Sequence, residues 1–355
     1  MIAFDDKGFE REVGTVLQPW LRDHVSGGKF TSFDDTRIQY YSAIHPAAKA
    51  VIVMMHGFCE FFGKFHETAY NFWDNGYTVY FIEHRGHGAS ERQSENPDFV
   101  DVNDFSDYVE DLKCFLDKVV LPQTQGLLTR AAMSGVHAGS AGAVSARGSG
   151  KLKLFMYAHS MGGCIGTLFM ERYPEYFSAA VLTSPMLKMT FGKTPMWQIK
   201  GIMHVSKLLG WGDKPMPGMQ KFDPEKPDFE ASGSTSPARF KYQFDIRKDP
   251  STGGIYTMNG GTYRWGRAAW KATEEVVKGM DRIRIPVLVC QAGHDYYVDN
   301  EGQNELAKQA KYVKLVRFPD ARHEIYASDE MTLEKYYQEI LEFYSRAVAY
   351  GSEQG

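Results

Sequence analysis

No stretch of about 18 uncharged apolar residues occurs in the chain, so the sequence offers no candidate membrane-spanning helix. No long Lys/Arg run occurs either, and the formal net charge is −4. Proteins that track phosphates along a nucleic acid usually carry a basic stripe, so nucleic acid is not an expected partner. Cysteine is scarce. Cys59, Cys114, Cys164 and Cys290 lie far apart without C-x-x-C spacing, which argues against a disulfide framework or a thiolate metal cluster and suits reduced thiols. The first residues, MIAFDDKGFEREVG, are acidic and mixed and lack the basic-then-apolar order of a secretory signal. A cytoplasmic location is expected, with at most peripheral contact at the inner membrane surface.

What is present is a large apolar supply. The 355 residues are 43% hydrophobic and 14% aromatic, enough for one big domain or a domain with an insertion. Residues 28–44 read as two strands joined by an Asp-Asp turn. Continuous apolar runs at 50–57, at 77–90 (where the run ends in a Gly-rich loop), and at 152–160, 179–185, 286–293 and 312–319 read as strands, the continuous ones buried on both faces. Phe105, Val109, Leu112, Phe115, Leu116 and Val119 fall at helical spacing, and 331–350 reads as an amphipathic closing helix. Strands alternating with helices imply a parallel sheet covered on both sides.

Two stretches break that rhythm. Residues 123–150 are rich in Gly, Ala and Ser and read as a long, flexible surface loop within the core. His137 lies in it, and so mobile a segment does not hold a catalytic group in place. Residues 186–275 carry helical pieces, many Met and Trp residues and no buried-strand run. They are expected to form a helical lid inserted between strands 6 and 7, leaving 1–185 and 276–355 as the core.

The segment FMYAHSMGGCIG (155–166) ends an apolar run on His-Ser-Met and turns at once into glycines. Strand, then x-H-S-x-G, then helix is the setting of a nucleophile elbow, where a strained turn presents a serine hydroxyl above the sheet. Residues two before and two after must be small, and here they are Ala158 and Gly162. A serine there could also simply cap a helix. A serine hydroxyl needs a base, and the base needs an orienting carboxylate. On this kind of sheet the chain order is serine, acid, histidine. Of 11 histidines, His323 alone follows the carboxylates after the 286–293 strand; His56, His84, His87, His159 and His294 fail the order. His56 and His159 are expected to shape the neighbouring loops by hydrogen bonds. Asp295 fits the strand-end position for the acid, Asp299 fits a helix cap, and Asp320 shares the His323 loop. Two backbone amides should face the developing oxyanion: Met161, directly after Ser160, and Phe58, after the His-Gly that ends the 50–57 strand.

With these residues in place, the chain resembles α/β-hydrolases of the monoacylglycerol lipase and bacterial lysophospholipase branch over about 28–120 and 152–348. HGFCEFFGKF looks like the family's H-G-x-G-E-x-x-G-[RK]-[YF] loop, with Cys59 at a usual glycine. EHRGHGASER resembles its D-x-x-G-H-G-x-S segment, with Glu83 at a usual aspartate. GHDYYVD resembles its acid loop, whose first Asp is catalytic, and GGTYRWGRAAWKA is similar to a lid segment of the lysophospholipase members. The resemblance implies an α/β-hydrolase fold with a mostly parallel sheet. It implies a serine esterase or lipase acting on a single-chain glycerolipid, with Ser160, Asp295 and His323 as the triad and with neither metal nor organic cofactor. Glu60 and Lys64 stand where the family places polar groups near the substrate head, or they pair and brace their own loop. In the lid, Met196, Trp197, Met203 and Leu208 are expected to line an acyl tunnel, although the same face could pack on the body. Lys200, Lys207 and Lys214 would favour transient contact with an anionic membrane surface. An acyltransferase, a small-ester carboxylesterase and an aminopeptidase of the same fold remain alternatives, and no oligomeric state is implied.

Overall fold

The strands expected from the apolar runs all form, and they build one eight-stranded sheet. They are β1 (Val25–Thr31), β2 (Arg37–Ala43), β3 (Val51–Met55), β4 (Thr78–Ile82), β5 (Leu154–His159), β6 (Ala179–Thr183), β7 (Val287–His294) and β8 (Val313–Arg322). The structure, a computed structural model, describes residues 3–126, 152–190 and 196–349. The expected loop at 123–150 lies outside the described residues except for 123–126, which continue a helix, and so does His137.

The sheet order is β1-β2-β4-β3-β5-β6-β7-β8. The β1–β2 and β2–β4 pairs are antiparallel, and every pair from β4 to β8 is parallel. β3, β4, β5 and β6 are buried at every position, which is why they read as unbroken apolar runs rather than alternating ones. One face is covered by helices α2 (Phe105–Phe115), α3 (Met161–Arg172) and α6 (Tyr263–Gly279). The other is covered by α1 (His66–Asp74), α8 (Glu330–Ala349) and a helical stretch over 9–24. That stretch has no counterpart among the sequence expectations. It docks through Phe9, Val13, Leu17 and Trp20.

Between β6 and β7 lie α4 (Met196–Leu208), α5 (Pro237–Lys248) and α6, followed after β7 by α7 (Asn300–Gln309). The expected lid boundary at 275 falls inside α6. Ala268, Ala269, Ala272 and Val276 of that helix join Phe105, Cys164 and Leu168 in one core, so α6 belongs to the body. Its small residues let it approach α2 and α3 closely. α5 is tied to the chain's beginning by Arg239, which donates to Glu67 at 2.7 and 2.8 Å and to the Phe4 carbonyl at 2.8 Å.

Candidate active site

Ser160 makes the turn between β5 and α3 alone, with φ +51° and ψ −115°. A non-glycine residue held there stores on the order of 1–3 kcal/mol of strain. Its neighbours hold it: Ser160 N–H donates to Thr183 O at 3.1 Å, and Ser160 O accepts from Met186 N–H at 2.9 Å. The glycines after it are required by contact. A Cβ on Gly162 would stand 2.6 Å from His56 O, and one on Gly163 would stand 2.5 Å from Pro185 Cβ.

The ends of β5, β7 and β8 bring three distant residues together. His323 Nε2 lies 2.8 Å from Ser160 Oγ, and His323 Nδ1 lies 2.7 Å from Asp295 Oδ2. The carboxylate can only accept, so Nδ1 carries the proton and the Nε2 lone pair faces the serine hydroxyl. Asp295 Oδ1 accepts from the Tyr297 and Val298 amides at 2.9 and 3.0 Å. Burial pushes the Asp295 carboxyl up, but the His323 contact and those two amides outweigh it and hold it below the usual carboxylate range. Asp299 does something else: it caps α7, accepting from Glu301 N–H at 2.9 Å. Asp320 is exposed on β8. The β7–β8 ladder shifts register between Ala292 and His294, and a Cβ on Gly293 would stand 2.0 Å from Pro319 O. That bulge lets the Asp295 loop close on His323.

The loop after β3 presses on the same turn, since a Cβ on Gly57 would stand 2.9 Å from Ser160 Cβ. Met161 is the first residue of α3, where helix geometry leaves amides without an intrahelical partner. Phe58 follows Gly57, and its ring stacks on Trp265 with centroids 3.9 Å apart. Cys59 adopts φ +57°, the left-handed conformation that explains why glycine is the usual residue there. His56 donates through Nδ1 to Gly57 O at 2.7 Å and accepts from His84 N–H at 2.9 Å; burial holds its pKa down to about 4. His159 reaches Thr183 O at 3.1 Å, and burial holds its pKa well below the usual histidine value.

Glu60 and Lys64 divide the two roles between them. Glu60 is 4% exposed; it accepts from the Gly57 amide and from Tyr326 Oη, the latter at 2.6 Å, and so braces the loop. Lys64 lies 3.5 Å from Glu60, pairs with Glu324 and reaches a cavity. Burial pulls its ammonium down, but Glu324 and Glu60 outweigh that and hold its pKa above the usual value. Glu83 accepts from Phe62 N–H at 3.1 Å and Ala89 N–H at 2.7 Å, joining the two loops; burial pushes its carboxyl up to about 7 against both bonds. Sequence reasoning missed Tyr326, Glu324 and Tyr297. Glu324 follows His323 directly, a signal that was available; Tyr326 gave none.

Of the four lid residues expected to line a tunnel, the side chains of Met203 and Leu208 are described. Leu208 is 73% exposed. Met203 is buried against Gly266 of α6, within a cap-to-body contact, because Met203 and Ser206 share the one face of α4 that meets α6. Ser206 Oγ accepts from Arg267 at 3.0 Å on that face. The side chains of Met196 and Trp197 lie outside what the structure describes. The cavity beside His323, about 500 Å³, is lined by neither Met203 nor Leu208. Among the described residues, no group of three or more His, Cys, Asp or Glu side chains is placed to hold a metal ion. No helix among them is long and apolar enough to cross a membrane.

Comparison with known proteins agrees with this architecture. The model of the Hydrolase_4 family, described as serine aminopeptidase, S33, matches residues 46–147 and 141–330. Lysophospholipase L2 of Escherichia coli (strain K12) is 28% identical over 287 residues, 77% of this chain and 71% of the relative. Monoacylglycerol lipase of Mycolicibacterium smegmatis is 28% identical over 162 residues, 46% of this chain and 45% of the relative. A soluble variant of monoglyceride lipase from Saccharomyces cerevisiae, solved with a substrate analogue, superposes with a TM-score of 0.65 at 17% identity, covering 91% of this chain and 94% of that one. That likeness shows the α/β-hydrolase fold.

Proposed function

The chain belongs to the Hydrolase_4 family, and from that premise we propose that it hydrolyses carboxylic esters of single-chain glycerolipids, with Ser160 as nucleophile, His323 as general base and Asp295 as the orienting acid. One observation carries the reading: an unbroken hydrogen-bonded chain from Ser160 Oγ through His323 to Asp295. In this mechanism Ser160 Oγ attacks the ester carbonyl while its proton passes to His323 Nε2. The Phe58 and Met161 amides receive the oxyanion. His323 then protonates the leaving alcohol, and water repeats the sequence on the acyl-enzyme. The relatives named above as lysophospholipase and monoacylglycerol lipase support the lipid ester as substrate. An aminopeptidase would need a free carboxylate for the substrate's ammonium, and Glu60 and Glu324 are both engaged with Lys64.

The outward face of α4 supports transient contact with a lipid surface. Ile202, Val205, Leu208 and Leu209 are 41–73% exposed there, followed by Trp211. Lys207 and Lys214 flank them, also exposed, which favours an anionic interface.

A fluorophosphonate probe tests the nucleophile. It should label Ser160, and Ser160→Ala should abolish turnover of monoacylglycerol, lysophospholipid and p-nitrophenyl esters. Labelling at another residue, or full activity in the variant, would refute the assignment.

A further inference from the structure

The cavity of about 500 Å³ lies between α5, the 220–233 segment and Lys64. Tyr297 and Glu324 form its wall on the side of the catalytic histidine, the Tyr297 ring lying 5.1 Å from that of His323. Its acidic groups already have partners. Glu324 pairs with Lys64, Asp223 lies 3.3 Å from Lys226, and Asp228 accepts from Ala231 N–H at 3.0 Å.

Two polar groups on the same wall are left over. Arg247 donates from Nε to Tyr256 O at 3.2 Å, and from Nη2 to Met258 O at 2.9 Å and Asn259 Oδ1 at 3.1 Å. Those acceptors are neutral. Among the described residues no carboxylate pairs with this guanidinium, and Nη1 has no protein acceptor. Phe222 covers one of its faces at 4.1 Å. The second group is Gln243, which is 7% exposed and lines the cavity, yet its side-chain amide makes no hydrogen bond among the described residues. Glu324 acts on Arg247 through its charge without a direct ion pair, so both side chains keep hydrogen-bonding capacity on the cavity wall that a ligand can use.

The geometry points to a phosphate subsite: Arg247 and Gln243 receive the phosphate of a single-chain glycerophospholipid while its ester carbonyl lies at Ser160. This rests on the esterase reading above. Arg247 lines the cavity and is already fixed by three bonds to neutral oxygens, so little further ordering is needed to bind an anion, and a guanidinium suits phosphate oxygens in number and geometry. Lys64 does not serve this purpose, since Glu324 and Glu60 already engage it. The neutral glycerol of a monoacylglycerol leaves Arg247 unmatched. For equal acyl chains the enzyme therefore favours the phosphate-bearing substrate.

The test has a binding arm and a kinetic arm. Ser160→Ala is titrated by calorimetry with sn-glycerol 3-phosphate, glycerol and inorganic phosphate. Glycerol 3-phosphate should bind, glycerol should not, and inorganic phosphate should bind at least about tenfold more weakly. Equal binding of inorganic phosphate would make this a free-anion site and overturn the head-group assignment; no binding by either phosphate would overturn the subsite. In the active chain, Arg247→Gln should lower the ratio of kcat/KM for lysophospholipid over monoacylglycerol by roughly 10- to 100-fold, chiefly through KM, as for loss of a charged hydrogen bond. Gln243→Leu, which keeps the Arg247 contacts intact, should lower the same ratio and decides the matter if Arg247→Gln does not fold. An unchanged ratio in the folded variants overturns the proposal. A wild-type chain that binds glycerol 3-phosphate but cleaves no ester would instead refute the esterase reading.

Discussion

A Cβ on Gly162 would stand 2.6 Å from the carbonyl oxygen of His56. The serine turn and the loop after β3 are therefore in backbone contact, and neither can move without the other. Gly162→Ala should cost about 1–3 kcal/mol in urea unfolding, the range for overpacking a close contact, and should lower kcat as well because the Phe58 and Met161 amides shift relative to Ser160. Unchanged stability would show that the loop yields freely.

The two aspartates after β7 should separate cleanly. Asp295→Asn removes the acceptor that fixes the His323 tautomer, and kcat should fall roughly 10⁴-fold. Asp299→Asn keeps a good cap on α7, since asparagine caps as well as aspartate, and should change ester turnover little. The reverse result would transfer the orienting role to Asp299.

What was legible in the sequence follows from how each feature is written in it. Strands buried on both faces show as apolar runs, and the Ser160–Asp295–His323 order follows from where those runs end. The helical stretch over 9–24 was not legible, because a short amphipathic segment docked by Phe9 and Trp20 carries too little periodicity to stand out. α6 was misassigned to the lid because its body-facing residues, Ala268, Ala269 and Ala272, are small. Their fit depends on the facing surfaces of α2 and α3, which sequence spacing does not encode. Arg247 and Gln243 gave no signal, since their importance lies in what they fail to pair with.

Cys59 offers a test of backbone strain. At an ordinary position alanine is more stable than glycine. At φ +57° the order should invert, with Cys59→Gly more stable than Cys59→Ala by about 1 kcal/mol, because a side chain in the left-handed region costs roughly 1–2 kcal/mol. Both variants lose the same thiol, so its burial cancels in the comparison. Parity, or a more stable alanine variant, would mean the loop relaxes.

Glu171 on α3 makes stability depend on pH. Burial pushes its carboxyl from 4.5 up to about 8, and its Oε1 has no hydrogen-bond partner among the described residues. The raised value means that the folded chain holds the proton while the unfolded chain releases it. Its contribution is complete below pH 4.5, declines as pH rises from there to about 8, and is constant above. Glu171→Gln mimics the protonated form at every pH. The Tm of the wild type minus that of the variant should therefore fall between pH 5 and 8; a pH-independent difference would refute the shift.

The last prediction concerns α4. Met203 and Ser206 face α6, while Leu208 and Leu209 are 73% and 54% exposed, so changing the latter pair leaves the cap-to-body contact intact. If that outer face rests on lipid, Leu208→Glu combined with Leu209→Glu should weaken co-sedimentation with anionic vesicles by tenfold or more, since burying one leucine contributes about 1.5–3 kcal/mol and each new carboxylate is repelled by the surface. The ratio of activity on vesicle-borne ester to activity on dispersed ester should fall with it. Raising salt should weaken wild-type binding only in part, because apolar burial persists when the Lys207 and Lys214 attractions are screened. Vesicle binding equal to that of the wild type would remove the lipid-surface role. A shift in acyl-chain preference without any change in vesicle binding would make this helix a wall of the substrate channel after all, against the exposure of Leu208.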